Sequence, residues 1–200
     1  SEATETSNDF GITINNSGVI NYINKFGQLN NNSFKTYDPV SELLYTAYRY
    51  FRNAGNVSAY TSMSGATTAE KEKYADGFPV ITDWGDPMGG YCEPNVALGI
   101  GDVYTHRDKN LPGNTTYTAD EPSQPSEVSN DGSVDVIDAT NRVGEIDAAL
   151  GANEGETSSW SGRNNSAYVA GLAYHAHTTD IRSGMQGDQN METHWVDVLG

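Results

Sequence analysis

The sequence predicts an α/β domain carrying a long, loop-rich insertion. Three observations lead there. Asn95–Asp102 is a short, small, β-prone apolar run that ends abruptly in a carboxylate, and continuous apolar character suggests a strand buried on both faces, as in a parallel sheet. Residues 38–53 repeat apolar side chains at helical spacing. The order helix, strand, strand, insertion, helix, strand is an α/β pattern.

Taken in order, residues 1–17 are polar and expected to be poorly ordered. Gly18–Phe26 reads as a helical turn or two. In the helix at 38–53, Asp38 is the expected N-cap and Pro39 the first helical residue. Val40, Leu43, Leu44, Ala47, Tyr48 and Phe51 form its apolar face, and Gly55 follows its end. A polar connection over 57–77 has a helical turn at Thr68–Tyr74. Phe78–Trp84 reads as a strand, with Pro79 placing it at an edge or a strand start. The buried strand at 95–101 comes next. Residues 113–165 lack a strong period and hold Pro122 and Pro125. A structureless loop of that length is unusual inside a compact domain, so the stretch reads as an insertion with a small helix at about Arg142–Leu150. A second good helix spans about Asn165–His177, and Glu192–Leu199 is the closing strand.

Composition narrows the function. The 200 residues hold 27 acidic and 11 basic side chains, for a net charge of −16. A field of that sign repels nucleic acid and anionic membrane and suits an exposed protein. No run of about 20 apolar residues is present to span a bilayer. The first residues lack the basic and apolar regions of a signal peptide, which suggests a removed signal or an internal piece of a longer chain. Cys92 is the sole cysteine, so no internal disulfide or cysteine-based zinc cluster forms.

Asp102, at the carboxyl end of the expected strand, sits where open α/β sheets bind ligands. The polar loop that follows it should line a crevice. A second candidate is residues 127–138, which resemble a calcium loop of the EF-hand type. Oxygen side chains of Glu127, Ser129, Asp131, Ser133, Asp135 and Asp138 fall at the ligand positions, and Gly132 at the sharp turn. Glu127 replaces the usual aspartate, Asp138 is shorter than the usual glutamate, and neither flank reads as helical. The competing reading is an acidic turn between two short strands. His175 and His177 face apart on a helix and suit a helix C-terminus better than zinc. Thr105-His106-Arg107-Asp108 reads as a mixed-charge loop, because no nucleophile or orienting partner accompanies it.

Five phrases are similar, in order, to the PilC/PilY family of proteins associated with type IV pilus tips. They are YDPVSELLYTAYRYF (37–51), DGFPVITDW (76–84), LGIGDVYTHRDKNLPG (98–113), the element at 162–182 and THWVDVLG (193–200). The resemblance covers roughly residues 17–200. It implies a partial von Willebrand factor A-like (Rossmann-like) sheet over 18–200, interrupted by the insertion at about 113–165, after a polar segment at 1–17. It also implies an adhesion-type metal site. Asp102 matches the aspartate ending a central strand, and Asp38 with Thr36 stands where a threonine ligand precedes the helix. The Asp-x-Ser-x-Ser motif of such domains is missing, so the site is incomplete within these residues.

The resulting expectation is a non-enzymatic, surface-exposed module at a bacterial pilus tip, acting in pilus biogenesis and adhesion. Its cofactor would be a divalent cation, Ca²⁺ or Mg²⁺. Its partners would be minor pilins, other tip components, remaining segments of the same polypeptide or a surface receptor. The alternative is a structural spacer or filament-associated subunit with a vestigial metal site. A secreted hydrolase would need a nucleophile–base pair or a complete metal site, and the sequence offers neither.

Overall fold

The computed structural model describes residues 9–25, 37–91, 93–101, 105–115, 121–146 and 166–197. Its elements are α1 (Val19–Lys25), α2 (Val40–Phe51), α3 (Ser58–Thr61), α4 (Thr68–Ala75), β1 (Asn95–Gly101), α5 (Ser126–Ser129), α6 (Val136–Ile146), α7 (Tyr168–Thr178) and β2 (Met191–Asp197). The chain divides into two units, one of residues 1–36 and 58–84, the other of residues 37–57 and 85–200.

In the first unit, α4 forms where its sequence supplies both ends. Thr67 and Glu70 make a capping box: the Thr67 hydroxyl accepts from the Glu70 backbone N–H at 3.3 Å, and the Glu70 carboxylate accepts from the Thr67 N–H at 2.7 Å. Asp76, with φ 55°, turns the chain out of the helix through the left-handed region. Ile12, Ala75 and Phe78 are buried, and Tyr22 meets Phe78 edge-on with ring centroids 5.2 Å apart. Residues 78–84 are not the expected strand. They are irregular, and their hydrogen bonds go to the N-terminal segment: the Asp9 N–H donates to Val80 at 2.9 Å, and the Asp9 carboxylate accepts from the Thr82 N–H at 2.7 Å. In the same segment the N–H groups of Asn15 and Asn16 both donate to the Gly77 carbonyl.

The second unit holds the sheet. β1 and β2 pair in parallel, in register from Asn95↔Met191 to Gly101↔Asp197. Helix α7 packs on α6, α2 and β2, and α2 also touches β1. The core gathers Leu44, Tyr45 and Tyr48 from α2, Val136 from α6, Tyr168, Leu172 and Ala176 from α7, and Met191 from β2. Gly171 lets α6 and α7 touch: a Cβ there would lie 2.5 Å from the Thr140 backbone nitrogen. The unit is thus α/β, with a small parallel sheet among helices.

Two expectations need correction here. The helix placed at 142–150 begins earlier, at Val136, because the Asp135 carboxylate accepts from the N–H groups of Ile137 and Asp138, each at 3.0 Å, and so caps it. Residues 147–150 lie outside the described residues. Strand β1 is not buried on both faces. Its side chains alternate, with Val96, Leu98 and Ile100 exposed. On the opposite face Trp195 lies against Gly99, where a Cβ would come within 1.8 Å of the indole. The indole N–H donates to the Gly101 carbonyl at 3.2 Å. The two glycines in the strand make room for that ring.

Candidate functional site

The first turn of a helix leaves backbone N–H groups without intrahelical acceptors. In α2 the expected cap, Asp38, accepts the Val40 N–H through its backbone carbonyl at 2.9 Å, and the N-cap position supplies no side-chain bond. Pro39 occupies the N-cap position and Val40 begins the helix. The side-chain acceptor is instead the carboxylate of Asp108. Its Oδ1 receives the N–H groups of Ser41 at 2.7 Å and Glu42 at 3.2 Å, and its Oδ2 receives the hydroxyls of Ser41 at 2.5 Å and Ser166 at 3.0 Å. Ser166 is held in turn by Thr105, whose hydroxyl accepts the Ser166 N–H at 2.9 Å. Glu42 accepts the Asn110 N–H at 3.1 Å.

This cluster is sealed from water: Asp108 has no exposed surface, and Thr105, Lys109, Asn110 and Ser166 are buried. Burial pushes the Asp108 carboxyl up to about 7, against the opposing pull of its hydrogen bonds from Ser41, Glu42 and Ser166. Burial and the neighbouring Asp108 charge push Glu42 up to about 8. Near neutral pH the two carboxyls therefore retain a proton between them. The 105–110 stretch is thus the mixed-charge loop read from its composition, and it is largely buried. Sequence reasoning missed Asp108 because Asp38, a plausible local cap, stands just before the helix. The one available signal was a second carboxylate, after Asp102, in the loop that follows β1.

The residues predicted to hold a cation have other partners where they are described. Asp38 Oδ2 lies 3.4 Å from Nδ1 of His106, and the Asp38 carbonyl accepts the His106 N–H. Thr36 and Asp102 lie outside the described residues. In the 127–138 segment, Glu127 and Ser129 sit on α5, Asp135 caps α6 and Asp138 is in its first turn. Both flanks are helical, so the segment joins two helices, not two strands. Asp131 turns toward α2: its Oδ2 lies 3.0 Å from Arg52 Nη1 and 3.4 Å from Arg49 Nη1, and accepts the Tyr45 hydroxyl at 2.6 Å. The Ser133 N–H donates to its Oδ1 at 3.0 Å. Burial raises the Asp131 pKa, but hydrogen bonds from Ser133 and Tyr45 and the Arg52 charge outweigh it and hold the group below its usual range. Among the described residues, no group of three or more His, Cys, Asp or Glu is placed to hold a metal ion.

The histidines are dispersed as well. His175 Nε2 lies 3.2 Å from the Tyr48 hydroxyl, and burial lowers its pKa. Asp180 accepts the N–H groups of Arg182 and Gln189, while His194 faces Glu192 on β2.

Fold and site together define an α/β module whose buried polar groups organise helix ends and loop–helix junctions. Its kinship is clear: residues 2–180 match the family model described as PilY1 homolog, second domain, and the chain belongs to that family. It is 48% identical over 208 residues to a protein of Xylella fastidiosa (strain Temecula1 / ATCC 700964) named type IV pilus biogenesis factor PilY1 homolog. That alignment covers 99% of this chain but only 17% of the relative. No solved structure matches.

Proposed function

We propose that the chain is a non-enzymatic module of a bacterial cell-surface protein that acts in type IV pilus biogenesis and adhesion at the pilus tip. The observation that carries this reading is the near-complete match to a relative named as a pilus biogenesis factor. The strongly acidic surface charge and the engagement of Asp108 and Asp131 in structural bonds support action by contact rather than catalysis. The parallel β1–β2 pair is the part of a von Willebrand factor A-like sheet that this segment supplies. Minor pilins and other tip components are the proposed partners. The test is in-frame deletion of residues 37–200 from the encoding gene. The expected result is loss of surface pili and of attachment, with labelled antibody marking pilus tips in the parent strain. Unchanged piliation and attachment would overturn the reading.

A second reading, a structural spacer with a vestigial metal site, is favoured by the pairing of Asp38 with His106. Asp102→Ala separates the two. Normal pili with lost attachment support adhesion through Asp102, and normal pili with normal attachment support the spacer.

A further inference from the structure

A cavity of about 430 Å³ lies at the amino ends of β1 and β2, beside the last turn of α7. Its size is that of ordinary small-ligand sites. Asn95 and Gln189, 6% and 3% exposed, line it together with Asn190. The NH₂ group of each amide is already committed to backbone carbonyls. Asn95 Nδ2 donates to Asn190 at 3.0 Å, Asn190 Nδ2 to Thr179 at 3.2 Å, and Gln189 Nε2 to Tyr91 at 3.2 Å and Gln186 at 3.1 Å. An amide carries its donors on one atom and its acceptor on another, so these bonds fix the three carbonyl oxygens as acceptors. Among the described residues, no donor is bonded to any of the three. Polar groups on buried side chains ordinarily find partners, and a ligand here would have to bring the donors.

The charged lining selects the kind of donor. It holds the carboxylates of Glu93, Asp188 and Glu192 against one imidazole, His177. Glu93 accepts the Gly89 N–H at 3.0 Å, and Glu192 lies 3.6 Å from His194. Asp188, by contrast, has no bonded partner among the described residues. Helix α7 ends beside the cavity, and the carbonyl end of a helix favours positive charge. Tyr91, 55% exposed, adds an aromatic ring to the lining, a further attraction for a cation. A metal ion is the wrong occupant, because no group of three or more His, Cys, Asp or Glu is placed to hold one among the described residues. A guanidinium group has only donors, spreads them in a plane and stacks on aromatic rings. We propose that this cavity binds the guanidinium group of arginine, with the amide oxygens of Asn95, Gln189 and Asn190 accepting its N–H groups and Asp188 pairing with its charge.

The test is calorimetric titration of the full-length gene product with N-acetyl-arginine methylamide. Salt at about 150 mM screens the general attraction of an acidic protein for cations. The expected result is saturable binding. The citrulline counterpart, which puts a neutral ureido group in nearly the same shape, is expected to bind about tenfold more weakly. Asp188→Asn, at an exposed position, is expected to weaken the arginine probe about tenfold as well. Glu145→Gln, an equal change of charge on α6 away from the lining, is expected to leave it unchanged. Absence of saturable binding overturns the proposal, as does equal affinity for the arginine and citrulline probes. Equal weakening by the two variants also overturns it, by assigning the binding to overall charge. Thermal midpoints of both variants equal to the parent's show that the site, not the fold, was altered. Free L-arginine then separates the two sources of the group. Tighter binding of the blocked probe assigns the site to an arginine within a polypeptide, and tighter binding of the free amino acid assigns it to a solute; both support the guanidinium site.

Discussion

The carboxylate of Asp108 lies 2.7 Å from the backbone nitrogen of Ser41 and 2.5 Å from its hydroxyl, so a buried loop residue, distant in sequence, caps α2. Removing that acceptor leaves buried N–H and O–H donors unsatisfied, which costs about 1–3 kcal/mol for each group stranded. Asp108→Ala is therefore expected to destabilise the chain by about 2–4 kcal/mol, and Ser41→Ala by about 1 kcal/mol. Urea denaturation at pH 6 measures both. Equal, sub-kilocalorie losses would show that the cap is not needed.

Stability should also depend on pH through this pair. Asp108 and Glu42 are held at about 7 and about 8 in the folded chain, above ordinary carboxyl values of 3.8 and 4.5. The folded state then binds more protons than the unfolded one, so the favourable contribution is complete below about pH 4 and is lost as pH rises toward 8. The expected loss is on the order of a few kcal/mol. Asp108→Asn should flatten the slope between pH 5 and 8, and comparison with the parent chain cancels the opposite trend from His175, whose pKa is lowered. Denaturation midpoints at five pH values check this, and an unaltered slope would refute it.

Gly99 and Gly171 are sites where a single methyl has no room. At Gly99 the obstacle is the Trp195 ring, which can swing aside; at Gly171 it includes the Thr140 backbone nitrogen, which cannot. Gly99→Ala is expected to cost about 1–3 kcal/mol and to shift tryptophan fluorescence. Gly171→Ala is expected to cost at least as much, with no such spectral change. Thermal melts and emission spectra of the two variants provide the comparison.

Arg49 anchors the other end of α2. It donates through Nε to the Gly55 carbonyl at 2.9 Å and through Nη2 to Ala54 at 2.8 Å, and it pairs with Asp131. Its side chain is 9% exposed, so removing it takes a buried donor from the Gly55 and Ala54 carbonyls, while Arg52 still faces Asp131 at 3.0 Å. Arg49→Met is expected to destabilise by about 1–3 kcal/mol. Because arginines already neutralise Asp131, calcium titration of the parent chain is expected to give no heat that Asp131→Asn abolishes; isothermal calorimetry of both proteins decides it.

The sequence by itself determined the elements with strong local signals. Apolar spacing located α2 and α7, a helical turn was read at Thr68–Tyr74 within α4, and the run at 95–101 located β1. Five ordered phrases also established the family. Tertiary structure alone decided which acidic groups meet which donors. Asp38 stands next to α2 yet pairs with His106, while Asp108 arrives to cap the helix. Asp131 fits a calcium-loop spacing yet meets two arginines of α2. Tertiary structure also decided that one face of β1 stays open, because Trp195 and two helices cover only the other. The physical reason is the range of the interactions. Helical and strand periodicity act between residues a few positions apart, whereas burial, ion pairing and long-range capping depend on where the backbone returns, which no local spacing encodes.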